Sequence, residues 1–310
     1  TIDILHTHLY LMHVIGRLAG KMARIPCIVS THHNLRQSNH IGLRVLERMT
    51  LPLCSATTSV SRAAQASHFG TRELFSEEAL QAGRKHVTIS NGIDTGTLQD
   101  ALKGLDRGQV RKELGLDRGA IAFACVGRLH PSKGHGFLIE AMKVLKESHP
   151  SIRLVIAGDG PLEKDLTEQV GHEGLQDRIR FLGYRRDVSR ILAACDALVH
   201  PAVFEGFGLV CAEAMAVGLP VVANNLESIA EIVQDQETGL LVPPGDSETL
   251  ARAMAAMADQ PDMAREYGRK GQERVEERFS LDKSAKQYEE LYLGLYAMKT
   301  GRWKKRASGG

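Results

Sequence analysis

With 310 residues, 43% of them hydrophobic, the chain is long enough for two domains of ordinary size, each with its own core. Thirty-nine Lys and Arg against thirty-seven Asp and Glu leave a formal charge of +2, so no overall field draws it to nucleic acid or an acidic membrane. No run of about 18 apolar residues is present to span a bilayer, and the first residues lack the charged and apolar regions of a secretory signal, so the expected location is cytoplasmic.

Short apolar, β-branched runs alternate with longer stretches of helical period, the pattern of parallel sheets covered by helices, and the expected class is α/β. The chain starts at Thr1 without a methionine and enters the apolar IDIL at once, which reads as the middle of a domain and predicts a truncated first domain. Strands are predicted at residues 2–5, 27–30, 57–60 and 87–89, with a helix over 9–23. The turn SNGID, residues 90–94, closes this series, and the strand-poor stretch 95–119 takes the linker and the first helix of a second domain. The predicted division is therefore 1–95, 96–280 and a terminal helix and tail over 281–310.

The second series is regular, with strands predicted at 121–126, 154–157, 179–182, 197–199, 221–223 and 240–242, a whole Rossmann-like domain. Phe137, Leu138, Ala141, Met142 and Leu145 form one apolar helical stripe, and Leu250, Ala253, Met254 and Met257 another; both are assigned to the core. Residues 281–296 form an amphipathic helix with Tyr288, Leu291, Tyr292 and Leu295 on one face, followed by the basic GRWKKR and a polar tail. Cys27, Cys54, Cys125, Cys195 and Cys211 are scattered without a CxxC pair, so they are read as buried thiols and not as a metal or redox centre.

The segment HPAVFEGFGLVCAEAMAVGLPVVA, residues 200–223, runs from one strand to the next. Its glycines Gly206 and Gly208 let backbone approach a ligand, and the following helix opens with free N–H groups, an anion site. Glu205 in the loop and Glu213 on the helix offer two carboxylates to one crevice, as recognition of paired sugar and ribose hydroxyls requires; an exposed loop glutamate beside a helix-dipole glutamate is the plainer reading. A second segment, VGRLHPSKGHGFLIEA (126–141), carries Arg128 and Lys133 around a turn, where two cations would stabilise a departing diphosphate without a metal, or simply be solvated beside a helix cap. Both segments follow strands, at whose carboxyl ends open α/β folds bind ligands. The histidines His6, His8, His13, His32 and His33 lack an HExxH pattern or a carboxylate at ligand spacing, so no metal is expected. GDGP (158–161) lacks the third glycine of a dinucleotide fingerprint, and no nicotinamide cofactor is expected.

From about Asp3 to the final helix the sequence resembles the retaining glycosyltransferases of the GT-B fold, family 4, in which two Rossmann-like domains face a cleft. The resemblance rests on EGFGLVCAE, two glutamates with seven residues between them, then AMAVGLPVVA, together with GRLHPSKG, IAGDGPL, RIRFLGY and TGLLVPPGD in order and spacing. It implies Arg128 and Lys133 on the donor pyrophosphate, Glu205 on the hydroxyls of the transferred sugar, Glu213 on the ribose, and the N–H groups around Gly206, Phe207, Gly208, Leu209 and Val210 facing the donor. It also implies Phe181 and Leu182 against the nucleobase, although an ordinary buried strand explains those side chains equally well. ILHTHLYLMHVIGRLAG resembles the family's strand, His-containing loop and helix, with His8 in the place of the histidine facing the sugar; SNGID has serine where the family usually has proline. Family members begin with a strand and a glycine-rich loop not found here; with about 30 residues per βαβ unit, two or three units are expected to be missing, and with them part of the acceptor surface.

The implied reaction is transfer of a hexose-type sugar from a nucleoside-diphosphate sugar to a hydroxyl acceptor, with retention and with no cofactor. The acceptor is a lipid-linked or polysaccharide glycan or a small molecule, and a lipid acceptor implies peripheral contact at the inner membrane face. Two other readings stand beside it: a non-catalytic nucleotide-binding remnant, and a sugar-nucleotide epimerase, which would need no acceptor.

Overall fold

The computed structural model describes residues 2–36 and 41–301. The chain divides into two compact units, one made of Thr1–Gly92 with Leu281–Gly310 and the other of Ile93–Ser280.

In the first unit β1 (Ile4–His8), β2 (Cys27–His32), β3 (Ala56–Ser59) and β4 (His86–Thr88) form a parallel sheet in sequence order. The helices connecting them are α1 (Tyr10–Met22), α2 (Ile41–Thr50), α3 (Arg62–Phe69) and α4 (Glu77–Gln81). Every residue of β2 is buried because both faces are covered. Alternation sends Cys27 and Val29 into the apolar core with Leu291 and Leu295 of the terminal helix, and Ser30 and His32 to the opposite face, towards Arg17 and Glu47. The predicted stripe of that terminal helix is observed: Leu291 and Leu295 are buried, with Tyr288 and Tyr292 packed beside them. One prediction is corrected here. The first strand is not 2–5; it begins at Ile4 and continues through the polar HTH to His8, because the ladder to β2 runs from Ile4↔Cys27 to His8↔Thr31 and backbone pairing is indifferent to side-chain polarity.

In the second unit α5 (Thr95–Leu102) and α6 (Arg107–Glu113) lead into β5 (Ile121–Val126), and both are capped by aspartates, Asp94 and Asp106, accepting backbone N–H groups. There follow α7 (His135–Val144), β6 (Ile152–Ala157), α8 (Glu163–His172), β7 (Ile179–Phe181), α9 (Val188–Ala194), β8 (Ala197–His200), α10 (Leu209–Ala216) and β9 (Val221–Asn224). The unit closes with α11 (Glu227–Ala230), β10 (Gly239–Val242), α12 (Ser247–Asp259) and α13 (Pro261–Arg278); the terminal helix of the first unit, Leu281–Thr300, is α14. All six strands are parallel in the order β10-β9-β8-β5-β6-β7, the doubly wound arrangement. Leu138, Ala141 and Met142 of α7, with Leu145 just past its end, meet Leu250, Ala253, Met254 and Met257 of α12 in one core. Phe137 departs from its predicted core place: it is 40% exposed, since it sits at the edge of the stripe.

All five cysteines are buried and free. Burial pushes the thiols of Cys125 and Cys195 up to about 12, so they stay protonated and unreactive at neutral pH. No helix among the described residues is long and apolar enough to cross a membrane. The basic stretch after Gly301 lies outside the described residues.

Candidate active site

Strands β5 and β8 are neighbours, yet β5 connects to β6 on one side and β8 to β9 on the other, so their carboxyl ends flank the switch point of the sheet. The loops leaving them are laced together. The N–H groups of Val203 and Phe204 both donate to Ser132 O, at 2.9 and 3.2 Å, and Asn224 Nδ2 donates to the carbonyls of Pro201 and Ala202. The loop after β5 makes a short 3-10 turn, Pro131–Lys133, ending in Gly134 at φ +68°; a Cβ there would lie 2.1 Å from Pro201 O, so only glycine lets the two loops touch.

This lacing delivers Lys133 to Glu205, 72 residues away in sequence, with Nζ donating to Oε2 at 2.5 Å. His200, the last residue of β8, places Nε2 3.2 Å from the same oxygen, and Gly206 N–H donates to Oε1 at 3.3 Å. Ser228 Oγ donates to Glu205 O at 2.8 Å and fixes the backbone. Burial alone would raise the Glu205 pKa, but the His200 hydrogen bond and the Lys133 ammonium outweigh it and hold it down at about 2. At neutral pH Glu205 is therefore a carboxylate that only accepts hydrogen bonds.

Gly208, at φ +98°, starts α10, and the N–H groups of Leu209 and Val210 on its first turn have no intrahelical acceptor. Gly206, Phe207 and Gly208 are buried, whereas Leu209 is 46% exposed. Glu213 lies one turn further on, half-buried, its pKa raised by burial alone and its carboxylate unpartnered among the described residues. Arg128 is exposed on the Lys133 loop and is likewise free of side-chain partners among the described residues. The structure thus brings Lys133 and Glu205 into contact and sets Arg128, Glu213 and the start of α10 at the same edge of the sheet. Phe181 and Leu182 stand two strands from β5; Phe181 packs on the core, and Leu182 is half-buried at the strand end. A cavity of about 470 Å³ bordered by Arg107, Asp196 and Pro220 lies at the opposite, amino-terminal edge of the strands, away from these groups.

Sequence reasoning missed two residues of this site. His200 ends an otherwise apolar strand, ALVH, and that single polar residue was the available signal. His135, the first residue of α7, is 1% exposed with neither ring nitrogen partnered; burial, followed by His200 and Lys133, lowers its pKa to about 4, so it is a neutral ring beneath the loop. Replacing His200 by leucine removes one hydrogen bond from the buried Glu205 carboxylate and is expected to lower stability to denaturant by about 1–2 kcal/mol, largely restored in His200→Gln. Equal losses in both variants would show that the ring only fills space.

In the first unit His8 is the final residue of β1, not a loop residue, with Nδ1 2.8 Å from His33 Nε2. Burial and His13 lower its pKa, leaving a neutral imidazole at neutral pH. Leu9, next to it, has φ +70°, which costs a non-glycine residue about 1–3 kcal/mol and turns the chain into α1. Linear spacing offers these histidines no carboxylate, but folding does. Tertiary structure brings Glu47 of α2 to His13 and His32, at 3.8 and 3.4 Å, a grouping of metal-ligand type that linear spacing could not show. The buried Arg17 guanidinium already lies 3.3 Å from the same Glu47 oxygen, so the carboxylate charge is matched by an ion pair.

A family model for glycosyl transferases group 1 matches residues 106–274, within the unit that holds Arg128, Lys133, Glu205 and Glu213. The chain belongs to that family. Over 300 residues it is 31% identical to the lipopolysaccharide core biosynthesis mannosyltransferase LpsB of Rhizobium meliloti, covering 92% of this chain and 83% of the relative. It is also 30% identical over 267 residues to the UDP-Gal:alpha-D-GlcNAc-diphosphoundecaprenol alpha-1,3-galactosyltransferase of Escherichia coli, covering 83% of this chain and 66% of that protein. Among solved structures, Anabaena Alr3699/HepE in complex with UDP and glucose superposes with a TM-score of 0.80 at 25% identity, covering 93% of this chain and 77% of that one. The two parallel sheets match those of GT-B glycosyltransferases. These likenesses favour sugar transfer from a nucleotide sugar over the remnant and epimerase readings.

Proposed function

We propose that this chain moves a hexose-type sugar from a uridine-diphosphate sugar to a hydroxyl acceptor, with retention at the anomeric carbon. The observation that carries the reading is the Lys133–Glu205 contact at the switch point, beside the opening turn of α10. A cation and free amides suit a diphosphate, and a carboxylate that stays ionised at neutral pH suits sugar hydroxyls. In this reading Arg128, Lys133 and the N–H groups of Leu209 and Val210 take up the charge of the departing diphosphate, without a metal. Glu205 grips the transferred sugar and Glu213 the ribose. The bond from the anomeric carbon to the diphosphate breaks and the acceptor oxygen bonds on the same face, while the leaving phosphate takes the acceptor's proton.

Support for uridine comes from HepE, solved with UDP, and from the UDP-galactose of the E. coli relative. That relative's name also points to a lipid-linked acceptor, which fits a cytoplasmic protein working at the inner membrane face. Calorimetry across nucleoside diphosphates tests the donor site: Glu213→Ala is expected to weaken UDP about tenfold and to leave inorganic pyrophosphate unaffected, the loss of one hydrogen-bonded carboxylate. Equal UDP affinity in the variant and the parent would remove Glu213 from the site.

A further inference from the structure

A second charged hollow, of about 470 Å³, lies wholly within the first unit, and neither the sequence motifs nor the donor site account for it. Its charged groups are Arg36, which follows β2, Arg44, Glu47 and Arg48 of α2, and His68 of α3. The Glu47 carboxylate is taken up by Arg17 at 3.3 Å, with His13 and His32 close by. Burial lowers the His68 pKa, so at neutral pH the ring is neutral, and it is tied to Asn34 O and Tyr10 Oη, each at 2.9 Å. The three guanidinium groups make no ion pair among the described residues, so the hollow carries an uncompensated positive charge.

That arrangement opposes the helix it stands on. Arg44 and Arg48 are four residues apart on one face of α2, where like charges repel, and Arg44 sits in the amino-terminal half, where the helix dipole disfavours a cation. A bound anion would relieve both. Guanidinium forks suit oxygens of a tetrahedral group, and three of them around one hollow exceed what a single carboxylate can satisfy. The wall is also held in place: Arg36 N–H donates to Ser67 Oγ at 3.0 Å, and His68 and Tyr10 bind the strand ends to α3. Asn34 and Arg36 follow the carboxyl end of β2 and Tyr10 that of β1, the edge at which parallel sheets receive ligands.

We propose that this hollow binds a phosphate or diphosphate group carried by the acceptor. That the group belongs to an acceptor rests on the transfer reading above; that the hollow takes a diphosphate does not.

Titration of inorganic pyrophosphate into the full chain, with UDP saturating the donor site, tests this. The parent is expected to bind, and the Arg44→Ser/Arg48→Ser variant to bind at least tenfold more weakly at unchanged UDP affinity. Arg48→Ser alone changes an exposed side chain, keeps the fold and is expected to lose affinity in the same direction. Pyrophosphate binding that is absent, or equal in all three proteins, overturns the site. Failure of UDP to bind sinks the transfer reading and leaves the pyrophosphate titration to judge the hollow alone. Displacement of pyrophosphate by a sugar 1-phosphate assigns a soluble acceptor, and displacement by a short-chain polyprenyl diphosphate a lipid-linked one; displacement by neither overturns the assignment to an acceptor.

Discussion

Glu205→Gln is expected to slow sugar transfer about 10²–10³-fold while leaving UDP affinity within about threefold. The amide keeps the shape of the side chain but cannot accept from Lys133, His200 and a sugar hydroxyl together, because one of its two polar atoms is now a donor. The transition state suffers more than the bound nucleotide, since Glu205 is assigned to the sugar and not to the diphosphate. The variant also reports on acid stability. A carboxyl held at about 2 instead of its ordinary 4.5 stabilises the folded chain above the unfolded value, and that stability is lost as pH falls from about 4.5 through 2. The parent's margin over the glutamine variant should shrink across that window by a few kcal/mol, on the order of 3. Denaturant midpoints measured between pH 5 and pH 2.5 read it directly; parallel curves for the two proteins contradict the buried ion pair.

Lys133→Ala is expected to weaken UDP by about 10- to 100-fold, to cut transfer by at least as much again, and to destabilise the chain by about 1.5–3 kcal/mol. Two effects combine. The diphosphate loses a cation, and Glu205, its side chain only 17% exposed, keeps just the His200 ring and the Gly206 N–H as hydrogen-bond partners. Calorimetry with UDP and with uridine separates the effects: uridine, which has no phosphate, should bind the variant and the parent alike. A proportional loss for uridine would assign the change to a collapsed loop. Arg128, exposed and without a partner among the described residues, should affect binding while sparing stability, and so provides the contrast.

The element pattern was legible because each strand of the second unit is a short apolar run between helical periods, and the alternation alone predicts parallel sheets. Misreadings fell where a local signal and a tertiary one disagree. Side-chain polarity ends the apolar run of the first strand before HTH, yet pairing to β2 carries the ladder through to His8. Phe137 shares the apolar spacing of its neighbours in the stripe, yet lies at its edge, 40% exposed. His200 looked like a strand end and not a hydrogen-bond donor to Glu205, since nothing in a linear string says which loop the imidazole will meet. Glu47 was invisible as a partner of His13 and His32 for the same reason.

From the string of residues alone follow the α/β class, two helical stripes, the amphipathic last helix and the glycine-containing loop that carries Glu205 ahead of the helix carrying Glu213, because all of these are written in spacings of a few residues. Which strands lie side by side was decided only on folding. Six similar apolar runs carry no label of their order, and it is the placement of β8 next to β5 that closes the gap between Lys133 and Glu205 and gives a pair of ordinary charged side chains one shared crevice.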